Sequence, residues 1–422
     1  MTNEESLLEH RGFRWLWAGQ TISEVGSQLT GLAFPVLAVT LLQATEFEMG
    51  LLNTANTAAF LVFGLLAGAW IDRWRKRRVM LVADIIRMAL HFLVPALWFS
   101  GHLEMWHLIV IASVGGIATT FFDISYQSYV PILVPDHHVG TANSRLETTN
   151  QLAGLGGPAI VGFLLHWLKA PALLIADAFS FLFSAFALSR IQDSEVPMPK
   201  EDRRPLKTEI SEGVQFVWRQ KLIRTISFCT ASSNLMSNVG HVLFPIFVLR
   251  TLGLEPGVFG LLMSVGAVGG LLGATTTARL IKIMGEGPLI ALSAVVMGVS
   301  AMLAPLSGMV DPIFAPYLLG ASGFIGAFTV LTYNITQVTA RQRLCPPELL
   351  GRMNASIRFF VWGVMPIGSF IGGVLGTYIG IVPTMWIGAI GSFLAAGFVV
   401  FSPLSTMKEL PRTVTEAAPA NE

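Results

Sequence analysis

Charged residues and cysteines are scarce in this sequence. Only 13% of the 422 residues are Asp, Glu, Lys or Arg, whereas a soluble domain usually has about 25%, so a soluble globular fold is not expected. The two cysteines, Cys229 and Cys345, are predicted at the inner end of one helix and in a cytoplasmic loop, so we expect no structural disulfide. The formal net charge of +1 provides no general attraction to nucleic acid, and no nucleic-acid partner is predicted.

The sequence motifs of several enzyme classes are also absent. No glycine-rich loop ends in Gly-Lys-Ser or Gly-Lys-Thr, which argues against ATP-driven pumping. No His, Cys and carboxylate residues share a metal-ligand spacing, and there is no serine nucleophile motif. The first ten residues lack the pattern of a cleaved signal peptide, so we expect the first helix to be retained. We predict that the protein is not an enzyme and uses no cofactor or metal.

Long apolar stretches dominate what the sequence does contain. Hydrophobic residues make up 53% of the chain, and the mean hydropathy is +0.63. An α-helix needs about 20 apolar residues to cross a bilayer. Stretches of that kind lie at 15–41, 49–71, 79–100, 106–130, 147–168, 172–191, 222–250, 257–281, 287–308, 312–340, 353–379 and 381–403. The predicted fold class is an all-α membrane protein with twelve transmembrane helices.

The basic residues indicate how these helices are oriented. Nearly all Lys and Arg residues outside the spans fall on one face, including the run from Arg73 to Arg78, whereas the opposite face receives Lys169 and Arg250. By the positive-inside rule the basic face is cytoplasmic. Because the number of helices is even, both termini lie on that side. This pattern predicts a multi-pass protein of the plasma (cell inner) membrane, with the lipid bilayer as its surroundings.

One long polar stretch separates six helices from six helices. The predicted domains are an N-terminal six-helix bundle at 1–191, a cytoplasmic linker at 192–221, a C-terminal six-helix bundle at 222–404 and a cytoplasmic tail at 405–422. Within the linker, 208–219 has the pattern of a short amphipathic helix on the inner membrane surface.

The two halves repeat each other at a nearly constant offset. Phe34-Pro35 recurs 210 residues later as Phe244-Pro245. Further matches at 210 or 211 residues are Gly50-Leu51-Leu52 with Gly260-Leu261-Leu262, Gly140 and Asn143 with Gly351 and Asn354, and Gly157 and Gly162 with Gly368 and Gly373. Duplicated halves around a central pathway are typical of secondary transporters. The repeat therefore predicts two pseudo-symmetric six-helix bundles.

The loop between predicted helices two and three carries a recognisable pattern. Gly68 stands four residues before Asp72 and Arg73, and further basic residues follow. This loop resembles the cytoplasmic signature of the major facilitator superfamily, although Arg75 stands where many members have a second glycine. The resemblance implies that Asp72 and Arg73 form a cytoplasmic gate latch, with Arg352 at the start of helix eleven as the partner. The alternative for the basic run is simple topology, since short inner loops collect arginine.

Predicted helix five contains a second motif of this superfamily. Gly157, Pro158 and Gly162 resemble its exporter signature, with Val161 in place of one glycine. Close packing of helices explains the same residues equally well. Within the superfamily the chain is most similar to the branch that holds macrolide and siderophore (enterobactin) exporters. The segments that suggest this branch are 84–87, 177–181 and 350–354.

Ionisable residues within the predicted spans are candidate functional groups, because charge is costly in a bilayer. They are Glu24, Asp84, Arg87, His91, Asp123, Asp177, His241 and Arg358. Asp84 and Arg87 are three residues apart and are predicted to form a structural ion pair, and Asp177 is assigned a structural role. Glu24 and Asp123 lie on helices one and four, which the resemblance places around a central cavity. We predict them as proton carriers, and the alternative is a structural pairing with Arg87 or Arg358.

Polar and aromatic residues in the spans are candidates for contact with a substrate. They are Asn53, Asn56, Tyr126, Asn234, Asn238, His241, Asn334 and Gln337. For the amides and the histidine, hydrogen bonding between helices is an equally good explanation.

The sequence as a whole predicts a proton-coupled exporter, an antiporter of small amphipathic organic molecules such as drugs, antibiotics or siderophores. The two bundles would work by alternating access, and a monomer suffices for this mechanism. The expected partners are a small-molecule substrate and protons. An importer or uniporter on the same fold is the nearest alternative, and a membrane enzyme or scaffold is a remote one.

Overall fold

Apolar helices of membrane-spanning length make up most of the chain. The computed structural model describes residues 7–71, 74–192, 195, 206–346 and 349–410. In this part of the chain, nine helical segments are long and apolar enough to cross a membrane. Helix α1, Arg11–Thr40, has 30 residues and is about 45 Å long at a rise of 1.5 Å per residue. It therefore exceeds the bilayer core of about 30 Å.

The first of two compact units comprises Met1–Glu48, Ala55–Arg203 and Leu254–Leu261. Its helices are α1, most of α2 (Glu46–Ile71), α3 (Lys76–Phe99), α4 (Met105–Leu133), α5 (Asp136–Trp167) and α6 (Ala170–Ser189). Helix α1 packs along α5 and α6, and α3 packs along α4 and α6. At the α1–α6 contact, Gly26 lies against Ser180 and Asp177, where a larger residue would collide with both side chains.

The second unit comprises Met49–Thr54, Arg204–Gly253 and Leu262–Glu422. It contains a linker helix, α7 (Leu206–Arg219), followed by α8 (Lys221–His241), the short α9 (Phe244–Ile246), most of α10 (Pro256–Met284), α11 (Glu286–Leu306), α12 (Ala315–Leu344), α13 (Leu350–Gly363), α14 (Met365–Ile379), α15 (Ile381–Ala395) and the short α16 (Gly397–Val400). A π-helical turn, Phe247–Thr251, follows α9.

The packing inside the two units repeats in the same way as the sequence. In the second unit α8 packs along α14 and α15, and α11 packs along α12 and α15. These contacts correspond one for one to those of α1 with α5 and α6, and of α3 with α4 and α6. Twelve spanning segments result when α8 is joined with α9, α13 with α14, and α15 with α16. The predicted fold class, twelve helices in two pseudo-symmetric bundles, is thereby confirmed.

Proline and glycine explain where predicted spans are interrupted. The predicted span 353–379 is divided at Val364 into α13 and α14, just before Pro366. Because proline has no N–H and its ring collides with the preceding turn, a continuous helix is disfavoured there. Helices α14 and α15 meet at Gly380, which has φ of +87°, a conformation that side-chain-bearing residues rarely adopt.

Large apolar side chains remain exposed on the helices. Examples are Phe163 on α5, Phe179 on α6 and Tyr378 on α14. Isolated exposed apolar residues are ordinary, but their recurrence on nearly every spanning helix is the pattern that a lipid environment favours. The buried core of the first unit is built around Phe13, Met80 and Tyr129. Asp84, Arg87 and Asp177, described next, are also buried in this unit.

Candidate functional site

Two charged residues of α3 are buried together inside the first unit. Arg87 donates a hydrogen bond to Asp84, and the two form the ion pair that their three-residue spacing predicts. The Arg87 guanidinium also lies over the rings of Phe122 and Phe181, 4.2 and 4.3 Å from their centroids. This charge pair therefore connects three helices, and its loss would leave a charge in an apolar core.

A second buried polar group joins α1, α3 and α6. Asp177 is fully buried, and its Oδ2 lies 3.0 Å from Nδ1 of His91. Thr30 donates a hydrogen bond to the same oxygen, and Ser180 donates to the other at 2.8 Å. Both carboxylate oxygens of Asp177 are thus satisfied. A fully satisfied buried network fixes the positions of its helices, in keeping with the structural role predicted for Asp177.

Three carboxylates lie within electrostatic range of Tyr126. Glu24 of α1, Asp123 of α4 and Glu147 of α5 all act electrostatically on its hydroxyl. Gln20 donates a hydrogen bond of 2.7 Å to Glu24. The two predicted proton carriers thus both act on Tyr126, together with a third carboxylate. We call Glu24, Asp123 and Glu147 the acidic group.

Sequence reasoning missed Glu147 because it placed the start of helix five at that residue. Helix α5 in fact begins at Asp136, so Glu147 stands about 16 Å along the helix. The signal that could have revealed this is the uninterrupted helical pattern between Asp136 and Glu147, which contains no proline and one glycine. Gln151, one turn further on, donates a hydrogen bond of 2.7 Å to Glu147.

Two charges act on Glu24 in opposite directions. Arg87 attracts Glu24, and Glu147 repels it. A carboxylate that has both a cation and other carboxylates as neighbours can take up and release a proton as these contacts change. Metal binding is a different matter, since among the described residues no three His, Cys, Asp or Glu residues are arranged to hold a metal ion.

Three of the predicted substrate contacts make hydrogen bonds within the protein, two of them between helices. Asn234 of α8 donates to the Val361 carbonyl of α13 at 3.0 Å. Asn238 donates to the Asn234 carbonyl at 2.8 Å, and Asn53 accepts from Ser369 at 2.9 Å. Hydrogen bonding between helices, the alternative to substrate contact, is thus seen for Asn234 and Asn53, whereas the bond of Asn238 lies within α8.

The other predicted contacts are placed differently. Asn56, Asn334 and His241 are exposed, and the ring of His241 is stacked on Phe244. Gln337 is buried and donates weakly to Asn334 at 3.4 Å. The Oε1 atom of Gln337 has no hydrogen-bond partner among the described residues.

The glycines of the helix-five motif lie at close helix crossings. Gly157 packs against the side chain of Gln28 on α1. A Cβ atom added to Gly162 would lie 2.5 Å from the Cα atom of Gly260, at the start of α10. In the second unit, a Cβ atom added to Gly50 would lie 2.6 Å from the Cα atom of Gly373. These two crossings are related by the sequence repeat, so both halves use the same glycine contact. Pro158 lies in the same helix and is partly buried.

The predicted cytoplasmic gate is only partly described. Asp72 and Arg73 lie outside the described residues, and Gly68 lies in α2. Arg352 donates a hydrogen bond to Glu212 of the linker helix α7. A Cβ atom added to the neighbouring Gly213 would lie 2.5 Å from the Arg352 carbonyl oxygen. The linker helix is therefore docked on the start of α13 through the residue predicted to contact Asp72.

Comparisons with known proteins agree with this architecture. A family described as "Transmembrane secretion effector" matches residues 4–421. The chain is 26% identical over 393 residues to "Multidrug efflux pump Tap" of Mycolicibacterium fortuitum, which covers 90% of this chain and 92% of that protein. It is 20% identical over 373 residues to "Macrolide efflux protein A" of Streptococcus pyogenes, covering 87% and 90%.

A solved structure shows the same fold. It is a bacterial homologue of the iron transporter ferroportin in an inward-facing state, with a TM-score of 0.74 and 17% identity. The similarity covers 95% of this chain and all of that one. Together with the twelve spanning segments and the repeated packing, these matches show that the chain belongs to the transmembrane secretion effector family of the major facilitator superfamily and is a multi-pass membrane transporter, not an enzyme.

Proposed function

We propose that the protein is a proton-coupled exporter of small amphipathic organic molecules in the cell inner membrane. The observation that carries this proposal is the acidic group. Three carboxylates from three different helices act electrostatically on Tyr126, in a unit that also contains two buried pairs, Asp84 with Arg87 and Asp177 with His91. Carboxylates within a membrane are the usual means of proton relay in transporters.

Arg87 gives the acidic group a way to influence helix packing. It is bonded to Asp84 and also attracts Glu24, so α1 and α3 are both within its electrostatic reach. When Glu24 takes up a proton, its attraction to Arg87 falls and Asp84 becomes the dominant partner. A change of protonation on α1 is in this way converted into a change in the forces between α1 and α3.

The energy of one proton is sufficient for substantial export. Moving one charge down about 150 mV supplies roughly 3.5 kcal/mol. At about 1.4 kcal/mol per tenfold change, this supports a gradient of several hundredfold. An energised antiporter therefore needs no ATP-binding motif.

Two features support export as the direction. The relatives named above include a multidrug efflux pump and a macrolide efflux protein. The glycines that resemble the exporter signature lie at close helix crossings. We further propose that both termini are cytoplasmic, that a monomer is the working unit, and that Asp72 and Arg73 act as a cytoplasmic latch.

The test is transport of an amphipathic dye into proteoliposomes under an imposed pH gradient. Glu24→Gln and Asp123→Asn should each abolish uphill transport, because the amide cannot carry the proton, while dye exchange without a gradient is partly retained. Glu255→Gln is the matched control, since Glu255 is an exposed carboxylate outside the acidic group. Gradient-driven transport that stays at the wild-type level in both variants would rule out the assignment. Transport in the opposite direction would indicate an importer.

A further inference from the structure

The second unit contains a buried cation with no carboxylate partner among the described residues. Arg341 of α12 is only 8% exposed, and its Nε atom makes no hydrogen bond. The groups that act on it electrostatically are the phenol of Tyr333 and a second cation, Arg358. A buried guanidinium without a counter-charge is energetically costly, so its retention calls for an explanation.

Two acidic residues of this unit pair with other arginines. Within the helices α8 to α15 the acidic residue is Glu286, at the start of α11, and it pairs with Arg343. Asp311, in the turn before α12, accepts a hydrogen bond from the Ile313 N–H. Glu212 of the linker helix pairs with Arg352. In the described part of the unit, the groups that act electrostatically on Arg341 include no carboxylate.

The neighbours of Arg341 on its helix are polar and buried. Tyr333, Gln337 and Arg341 are spaced by four residues and therefore share one face of α12. Gln337 is 2% exposed, and its Oε1 atom lacks a partner. The Tyr333 hydroxyl is bonded at 2.9 Å to Thr230 of α8. This face thus holds an unused donor at Arg341 and an unused acceptor one turn away at Gln337.

We propose that Arg341 binds an anionic oxygen group, a carboxylate or phosphate, of the transported molecule. A guanidinium presents several N–H donors in a plane, which matches the geometry of such groups and gives strong charge-assisted hydrogen bonds. Gln337 accepts a hydrogen bond from a hydroxyl or amine of the same molecule. This inference rests on the proposed transport function and narrows its substrates to amphipathic organic acids.

The experiment compares two dyes that differ by one carboxylate, rhodamine B and its ethyl ester. Binding of each is measured by fluorescence anisotropy with the purified protein in phosphatidylcholine nanodiscs. The wild type should bind the acid at least about tenfold more tightly than the ester, a factor that corresponds to 1.4 kcal/mol. Arg341→Gln should abolish this preference and leave the affinity for the ester unchanged, which also shows that the variant is folded.

Arg343→Gln is the matched control, because Arg343 lies on the same helix but is paired with Glu286. It should keep the preference for the acid. Equal affinities of the wild type for acid and ester, binding of neither dye, or an undiminished preference in Arg341→Gln would each overturn the proposal.

The same chemistry is found in an anionic lipid headgroup, and repeating the assay in phosphatidylglycerol nanodiscs separates the two sources. The first condition is that the preference for the acid is absent in phosphatidylcholine. If, in addition, phosphatidylglycerol stabilises the wild-type protein and Arg341→Gln removes that stabilisation, the ligand is lipid and the proposal fails. The outcome for the proposed function is separate. Acid preference without proton-driven dye transport would refute only proton-coupled export, and proton-driven transport without acid preference would refute only the role of Arg341.

Discussion

The contact between Gly162 and Gly260 makes a quantitative prediction about stability. A Cβ atom at Gly162 would lie 2.5 Å from the Gly260 Cα atom, whereas carbon atoms in ordinary contact are about 3.5–4.0 Å apart. Helices α5 and α10 would have to separate by about 1 Å. Because the obstructing atoms belong to the backbone, no side-chain rotation can relieve the collision.

Gly154 provides a control on the same helix. A Cβ atom there would meet nothing within 4 Å, so Gly154→Ala should be neutral or should stabilise the helix by about 0.5–1 kcal/mol. Gly162→Ala has the same helix benefit but incurs an overpacking cost of about 1–3 kcal/mol. The difference between the two variants should therefore be about 1–3 kcal/mol.

The assay is thermal unfolding of the purified variants in detergent, followed by intrinsic tryptophan fluorescence. At about 2–4 °C per kcal/mol for a unit of roughly 200 residues, Gly162→Ala should melt at least about 2 °C below Gly154→Ala. Gly260→Ala should behave like Gly162→Ala. The double variant should lose less than the sum, because both changes strain one contact. Indistinguishable melting temperatures for Gly162→Ala and Gly154→Ala would refute the reasoning.

Three further predictions concern a buried ion pair, an exposed ion pair and the docking of the linker helix. Arg87→Met should destabilise the protein by about 3–5 kcal/mol, because it leaves Asp84 buried without its cation; adding Asp84→Leu should restore most of the loss in the same melting assay, and no restoration would contradict the pairing. Glu212→Gln removes a partly exposed pair with Arg352 and should change stability by less than about 1 kcal/mol. Gly213→Leu, by contrast, would collide with the backbone of α13 and should undock the linker helix. Undocking should be visible as faster trypsin cleavage after Arg219. Equal cleavage rates in Glu212→Gln and Gly213→Leu would argue against this docking.

Some details of the site followed from local spacing. The three-residue spacing of Asp84 and Arg87 predicts an ion pair, because residues three apart share a helix face. The structure shows that pair. The same kind of reasoning could not show that Arg87 also attracts Glu24, 63 positions earlier in the sequence. Nor could it show that His91 and Thr30 both bond to Asp177, since these contacts depend on how three helices are rotated against each other.

Helix boundaries decided other details. An error of 11 residues at the start of α5 removed Glu147 from the candidate residues, although it belongs to the acidic group. The resemblance pairs Arg352 with Asp72, which lies outside the described residues, and the sequence does not predict the hydrogen bond that Arg352 makes to Glu212. The amphipathic pattern of the linker helix predicts a position on the membrane surface. Its packing on α13 depends on a backbone contact at Gly213, which periodicity cannot reveal.

The sequence by itself determined that this protein spans a membrane twelve times in two similar halves. Those features depend on local composition, because a chain in lipid must satisfy its backbone hydrogen bonds within each segment, and an apolar stretch of sufficient length has one way to do so. Only the tertiary structure decided which polar side chains meet. Neighbours such as Gly162 and Gly260, or Tyr126 and Glu147, are set by the rotation and depth of packed helices, and these arise from contacts between residues far apart in the chain.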